Sequence, residues 1–403
     1  MAIKGISWLG LLRITTRTIS FLKTAVLARL LTPSQFGFFA IASLVLSLAE
    51  LVTETGINIV LVQRKEKIDH YINTAWVVSI LRGFTIGLFI LFSASLVANL
   101  FSMPQVLNLI LLIASVPVIR GFINPARVKL VKDMRYRDEF FYNLSIFIVE
   151  SVVTLILGYI TRSASSIVFG LIAGSIVDVL LSFLVFRPTP KIRFKKELLW
   201  DIISRGKWLT ATGIMSYLYQ SIDNIAIGKI LGASTLGLYD VLYKISLLPL
   251  TEVTDVVGKA TFPVYVRINE DLARLKRAYL KSIFLIFVLS SGIGLFLFIF
   301  PELVISIVLG SQWLSGAPLL KILSIIGVLR AVYISIIHPL YALEKQSLVT
   351  VVFFLGLIVL VLTIVPFIIY WGVLGAAYSA LLGTVFPLPL AFYFVNRELS
   401  KKK

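Results

Sequence analysis

Long apolar runs separated by short polar stretches set the organisation of this chain. Twelve such runs occur, at roughly 8–31, 35–61, 72–100, 105–127, 139–161, 165–186, 206–231, 235–262, 279–300, 317–342, 347–370 and 373–396. A helix rises 1.5 Å per residue, so about 20 apolar residues cross the hydrocarbon core of a bilayer. The pattern therefore predicts an all-α polytopic membrane protein of twelve transmembrane helices.

The polar punctuation has a sign. With the N-terminus placed inside, 26 Lys and Arg residues fall in the inner loops and one, Arg162, in the outer loops. An inserted or missing span would reverse every later loop and destroy this asymmetry, which is how a membrane protein fixes its orientation. The expectation is a multi-pass protein of the cytoplasmic (inner) membrane with both termini cytoplasmic. The outer connections are short, and only the stretch near 301–317 is longer.

The runs also repeat. Residues 28–39 read ARLLTPSQFGFF and residues 228–239 read GKILGASTLGLY, an ungapped offset of 200 in which Leu31/Leu231, Ser34/Ser234 and Gly37/Gly237 are identical. Both stretches end one helix, turn tightly and begin the next. Six helices per half is an even number, so the halves share one orientation, a common transporter plan with the substrate path between them. We expect an N-terminal six-helix bundle at 1–186, a cytoplasmic linker at 187–205 and a C-terminal six-helix bundle at 206–403. The linker (RPTPKIRFKKELLWDIISRGK with its flanks) reads either as a surface segment meeting anionic headgroups or as a topology determinant alone.

Composition narrows the picture further. Hydrophobic residues make up 58% of 403 positions, charged residues 14%, and the mean hydropathy is +0.97. A water-soluble domain of this size has too little interior to hide that much apolar surface. The formal charge of +18 does not imply nucleic acid, because the cations sit between apolar runs. The chain has no cysteine, which removes thiol chemistry, and no cleavable leader is read at its start.

Eleven cations fall inside spans: Arg13, Arg17, Lys23, Arg29, Arg82, Arg120, Lys229, Lys244, Lys259, Lys321 and Arg330. Eight acids join them: Glu50, Glu54, Glu150, Asp178, Asp223, Asp240, Glu252 and Asp255. A charge at mid-bilayer costs roughly 2.5–3.5 kcal/mol on insertion scales, and only those near span ends can snorkel cheaply. At about 100° per residue, Arg13, Arg17, Ser20 and Thr24 form one stripe, and Ser43, Ser47, Glu50, Glu54 and Asn58 another. Tyr217, Gln220, Asn224 and nearby Asp223 mark a polar face on the seventh run, and Asp240, Lys244, Glu252, Asp255 and Lys259 one on the eighth. Two readings stay open. The stripes line a central hydrophilic cavity whose surplus positive charge suits an anion, or they form buried salt bridges (Glu50 or Glu54 with Arg17, Asp223 with Lys244) that order the packing. Tyr217 and Tyr239 either stack on sugar faces or anchor at the membrane interface. No metal-ligand cluster, Gly-rich phosphate loop or nucleophile motif is present, and His338 has no catalytic partner in sequence reach.

Several stretches resemble a known family. RTISFLKTAVLARLLTPSQFGFFAIASLVLSLAELVTETGINIVLVQRKE, INTAWVVSILRGF, VIRGFINPARVKLVKDMRYRDEF, SRGKW, SIDNIAIGKILGASTLGLYDVLYKISLLPLTEV and FPVYVRI are similar to the Wzx-type polysaccharide flippases. These are the colanic-acid, O-antigen and lipopolysaccharide exporters of the multidrug/oligosaccharidyl-lipid/polysaccharide exporter superfamily. The resemblance implies two MATE-like six-helix bundles around a cationic cavity. It implies as substrate an undecaprenyl-type pyrophosphate-linked glycan, flipped between leaflets by alternating access in lipopolysaccharide or exopolysaccharide synthesis. Many members are longer, some with two further C-terminal helices, whereas this chain stops after the twelfth run. Arg13, Arg17, Lys23, Arg29, Arg82, Arg120, Tyr217, Gln220, Asn224, Lys244 and Arg330 are the expected substrate-binding candidates. Glu50, Glu54, Asp223 and Asp255 are those for coupling to a proton or sodium gradient. No other cofactor is expected, and the expected partners are membrane lipids, a polysaccharide polymerase and a chain-length regulator. The alternatives are a MATE-type small-molecule exporter, whose cavity would be acidic or aromatic, and a polytopic glycan ligase or polymerase, for which the outer loops are short.

Overall fold

A computed structural model of the chain describes residues 2–53, 69–193 and 217–400. All regular structure among these residues is helical, in agreement with the expected all-α class. The chain divides into two compact units, residues 1–221 and residues 222–403.

The first unit runs through α1 (Ala2–Leu30), α2 (Pro33–Val52), α3 (Asp69–Leu100), α4 (Gln105–Ile113), α5 (Ser115–Gly121), α6 (Lys129–Lys132), α7 (Tyr136–Thr161) and α8 (Ser165–Val185). The stretch from α4 to α6 bends by 73° after Gly121. Proline at the start of the short 3₁₀ turn Pro125–Val128 and the buried Asn124, which caps it by accepting from Ala126 N–H at 2.9 Å, set that bend. α7 packs chiefly on α8 and α1. Small residues let it do so: a Cβ on Gly170 would overlap Thr154, and one on Gly174 would lie 3.1 Å from the Glu150 Cβ.

A helix of residues 217–231 (α9) begins in the first unit and runs into the second, which continues through α10 (Ala233–Arg267), α11 (Leu272–Ile299), α12 (Pro301–Val308), α13 (Ala317–Ala342), α14 (Gln346–Val385) and α15 (Leu388–Leu399). α13 is its hub, with α10, α11 and α14 packed around it. Its apolar stretch is 56% buried, against 17–39% for the other long apolar helices, which leave most of their surface outward. Phe92, Leu184, Phe284 and Leu362 stand more than two-thirds exposed on those outer faces. Water does not tolerate such continuous apolar surface and acyl chains do, so the protein is a multi-pass membrane protein.

Seven helices among the described residues are long and apolar enough to cross a membrane, or eight with the bent α4–α6 stretch. The described helices nevertheless fall on all twelve expected runs, the second and seventh only in part, since residues 54–61 and 206–216 lie outside the described residues. Three reasons account for the difference, the first being that α9 is described only from residue 217 and is too short to count as a span. α1 and α10 are long enough but carry the charges named above. The last apolar helix, residues 346–399, holds two expected runs that meet at Gly372. Gly372 sits at φ 59°, ψ −138°, a conformation open to glycine and costly for residues with a Cβ. Beyond it the chain folds back: Ser379 Oγ meets Thr363 Oγ1 at 2.6 Å, and Gly383 comes against the Gly356 carbonyl and Leu360. α14 is therefore an antiparallel helical hairpin.

The sequence repeat is a structural repeat at its turns. Phe36 N–H donates to Thr32 O at 3.3 Å, and 200 residues later Leu236 N–H donates to Gly232 O at 3.1 Å. Each bond closes the first turn of a second helix. Thr32 has φ −76°, while Gly232 adopts φ +87°.

Candidate functional site

In the first unit the cations gather at the far end of α2. Gly83 and Gly121 let α3 and α5 press together, since a Cβ on Gly121 would lie 2.9 Å from Ser79 O. That contact holds Arg120 on the last turn of α5, where Nη1 meets Glu50 Oε1 at 3.1 Å and Nε meets Ser175 Oγ at 3.3 Å. Arg82, from α3, donates to Glu50 O at 2.6 Å and to Thr53 Oγ1 at 3.3 Å. The last carbonyls of a helix lack internal partners and carry partial negative charge, so a guanidinium is well placed there. Two guanidinium groups thus meet at Glu50, Arg120 on its carboxylate and Arg82 on its backbone carbonyl. The Arg120 and Glu50 side chains are 40% and 34% exposed, which leaves the cluster open to an anion.

Lys23 is placed differently. Its Nζ lies 2.7 Å from Glu150 Oε1 with side-chain exposures of 12% and 17%, and over the Phe147 ring at 4.9 Å. The close packing of α8 at Gly170 and Gly174 fixes Glu150 toward α1. Arg127 pairs with Asp178 at 2.7 Å, and Tyr142 Oη donates to the other carboxylate oxygen at 2.5 Å. Arg13 is half-buried on α1, and Arg17 and Arg29 are exposed on it. Glu54 lies outside the described residues. Tyr217 is half-buried and donates to Leu44 O at 2.7 Å.

In the second unit Asp223 is buried and accepts from Tyr239 Oη at 2.8 Å and from Asn224 N–H at 2.8 Å. Tyr239 stacks on Tyr243 with centroids 5.8 Å apart, Arg330 donates to Tyr243 Oη, and Arg330 acts electrostatically on Asp223. Asn224 Oδ1 is buried without a hydrogen-bond partner, and Gln220 is exposed. Lys244 pairs with Asp240 one turn earlier at 2.6 Å and is otherwise exposed. Asp255 lines a cleft of about 360 Å³ with Thr254, Gly258, Lys259, Phe262, Pro263 and His338.

One ion-pair expectation changes: Lys244 takes Asp240 in place of Asp223. Glu50 meets Arg120, from the fourth span, while the alternative partner expected for Arg17, Glu54, lies outside the described residues. Lys244 and Asp240 stand four apart on one helix face, a local geometry that outcompetes a partner on another helix. Tyr239 is 1% exposed, so it is neither an interface anchor nor a sugar platform in this state. Tyr243, Ser175 and the partner roles of Glu150 and Asp178 went unassigned in the sequence. Lys23 and Glu150 lie 127 residues apart, beyond any local spacing rule.

A further correspondence emerges from the fold. Arg120 stands in VIRG on the fourth span of the first unit, and Arg330 in VLRA on the fourth span of the second. Each reaches the second span of its own unit, Arg120 to Glu50 and Arg330 to Tyr243. The offset here is 210, against 200 at the first turn, which hides the pair from an ungapped reading.

Comparison with known proteins agrees with this architecture. The profile of a family described as "Polysaccharide biosynthesis protein" matches residues 26–318. The chain is 27% identical over 410 aligned residues to an uncharacterized membrane protein in the cps region of Klebsiella pneumoniae, covering 98% of this chain and 82% of that one. It is 23% identical to the lipopolysaccharide biosynthesis protein WzxC of Escherichia coli K12, covering 82% of this chain and 68% of WzxC. Among solved structures, the lipid II flippase MurJ in an inward closed conformation superposes with a TM-score of 0.80 at 12% identity, over 98% of this chain and 89% of MurJ. A multidrug resistance MATE transporter in an inward-facing conformation superposes with a TM-score of 0.75 at 16% identity, over 95% and 94%. At these identities the structural matches speak for the fold alone, which is shared with MurJ and the MATE transporter.

Proposed function

Because the chain belongs to the polysaccharide biosynthesis protein family, we propose that it is a flippase for polyprenyl-pyrophosphate-linked oligosaccharide units in surface polysaccharide synthesis. The observation that carries the reading is the half-exposed pair of guanidinium groups at the end of α2, Arg120 on the Glu50 carboxylate and Arg82 on the Glu50 backbone carbonyl. Guanidinium donors stay charged at every physiological pH and match the geometry of phosphate oxygens. A cation exporter of the MATE type would be poorly served by that charge. Family and fold point to a transporter in place of an enzyme.

In this reading the units exchange exposure between the two membrane faces, and the pyrophosphate and sugars travel past the cations while the prenyl tail stays in lipid. Arg13 and Arg17 supplement Arg120 in holding the anionic head. Asp223, held by Tyr239, and Asp255, in its cleft with His338, are the carboxylates assigned to coupling with a proton gradient, sodium being the second choice. The protein sits in the inner membrane with both ends cytoplasmic, 187–205 serves as linker, and a polymerase and a chain-length regulator receive the flipped unit.

The test is transport by purified protein in vesicles loaded with a lipid-linked saccharide. Arg120→Ala is expected to lower the flipping rate by about tenfold or more, the scale of one charge-assisted hydrogen bond. Arg120→Lys should recover part of it. Undiminished flipping by correctly folded Arg120→Ala would remove the assignment.

A further inference from the structure

Two chain segments close one end of the first unit, and both are basic. Residues 127–139, RVKLVKDMRYRDE, hold five cations against three acids, and residues 187–193, RPTPKIR, hold three cations and no acid. Side chains tie them together. The buried Asn124 donates from its amide to Phe186 O at 3.4 Å and Pro188 O at 3.3 Å. Lys129 Nζ donates to Arg187 O at 2.9 Å, and the Lys191 backbone N–H donates to Asn73 Oδ1 on α3 at 2.7 Å. The strap after α8 is thereby fixed against the turn before α7.

Large apolar side chains stand outward among these charges. Val128 and Leu130 turn into the core, while Val131, Met134 and Ile192 are 44%, 66% and 82% exposed. Water suits the cations and not these side chains; hydrocarbon suits the side chains and not the cations. Only the boundary between headgroups and acyl chains suits both.

We propose that this end of the first unit is a binding site for anionic phospholipid. Lys191 and Arg193 on the strap take the headgroup phosphate, and Met134 and Ile192 lie against the upper acyl chain. Charge complementarity selects this occupant: a cation-only strap attracts anionic headgroups and gains little from zwitterionic ones. The inference stands on the geometry of the strap and is independent of what the protein transports.

The experiment uses the full chain in detergent, incubated with phosphatidylglycerol or phosphatidylcholine, with retained lipid counted by native mass spectrometry. Phosphatidylglycerol should be retained about tenfold or more over phosphatidylcholine. Lys191→Gln with Arg193→Gln should lower its occupancy by about tenfold or more, and Ile192→Asp should lower it as well. Lys276→Gln with Arg277→Gln, the same charge change on α11, should alter it less than about twofold. Equal retention of the two lipids, wild-type occupancy in the strap variant, or equal losses in both charge variants would each overturn the proposal; the last would reduce it to net charge.

Discussion

Lys23 meets Glu150 at 2.7 Å with little of either side chain exposed, and a pair so placed is sensitive to the loss of one member. Removing one partner leaves an uncompensated charge away from water, at a cost of about 3–5 kcal/mol, whereas replacing both by apolar groups of similar volume is often neutral. Glu150→Ala is therefore expected to lower the thermal midpoint markedly in detergent, and Lys23→Met with Glu150→Met to recover most of the loss. A single variant as stable as the parent would show that the pair is solvated. Asp223 makes a second residue-level case, since its carboxylate accepts from Tyr239 and from the Asn224 backbone. Tyr239→Phe removes one of these bonds from a buried acceptor, which costs about 1–3 kcal/mol. Its midpoint should fall by more than that of Tyr217→Phe, whose partner is the Leu44 carbonyl in a half-buried setting.

Glycine determines how the elements meet. Gly372 turns α14 back on itself at φ 59°, ψ −138°, and Gly372→Ala forces a Cβ into a backbone region that costs about 1–3 kcal/mol. We expect a destabilised protein whose limited proteolysis is enhanced near residue 372; an unchanged digestion pattern would mean the turn has slack. Gly170→Leu should be more severe, because Thr154 already occupies that space and α7 and α8 would have to separate. The sequence marked the positions of the helices well, since about 20 apolar residues in lipid leave the backbone little choice but a helix. It located the turn between the last two runs for the same reason. It could not pair α1 with α7 or α5 with α2, because Lys23 with Glu150 and Arg120 with Glu50 are joined by packing across 127 and 70 residues. The cations were legible as a class and their individual roles were not. Depth in the bilayer follows from position along a run, while neutralisation follows from what another helix brings alongside.

At the level of the whole molecule, the distribution of Lys and Arg predicts which face each loop occupies, and the absence of cysteine makes this measurable without background labelling. A membrane-impermeant maleimide should label Arg162→Cys in intact cells and should fail to label Glu344→Cys until the membrane is opened. The reverse pattern would invert the topology and move the anionic-lipid strap to the opposite leaflet. The Gly372 hairpin has its own consequence for how such a chain can change. Residues 346–396 carry no charged side chain, so Lys345 before them and Arg397 after them are what tell the pair which way to enter. An excursion that returns to its starting side is neutral to everything upstream: it can be lost, doubled or exchanged between relatives without turning any earlier loop to the other face. The Gly372 hairpin is thus a place where length can vary while the spans before it keep their bearings.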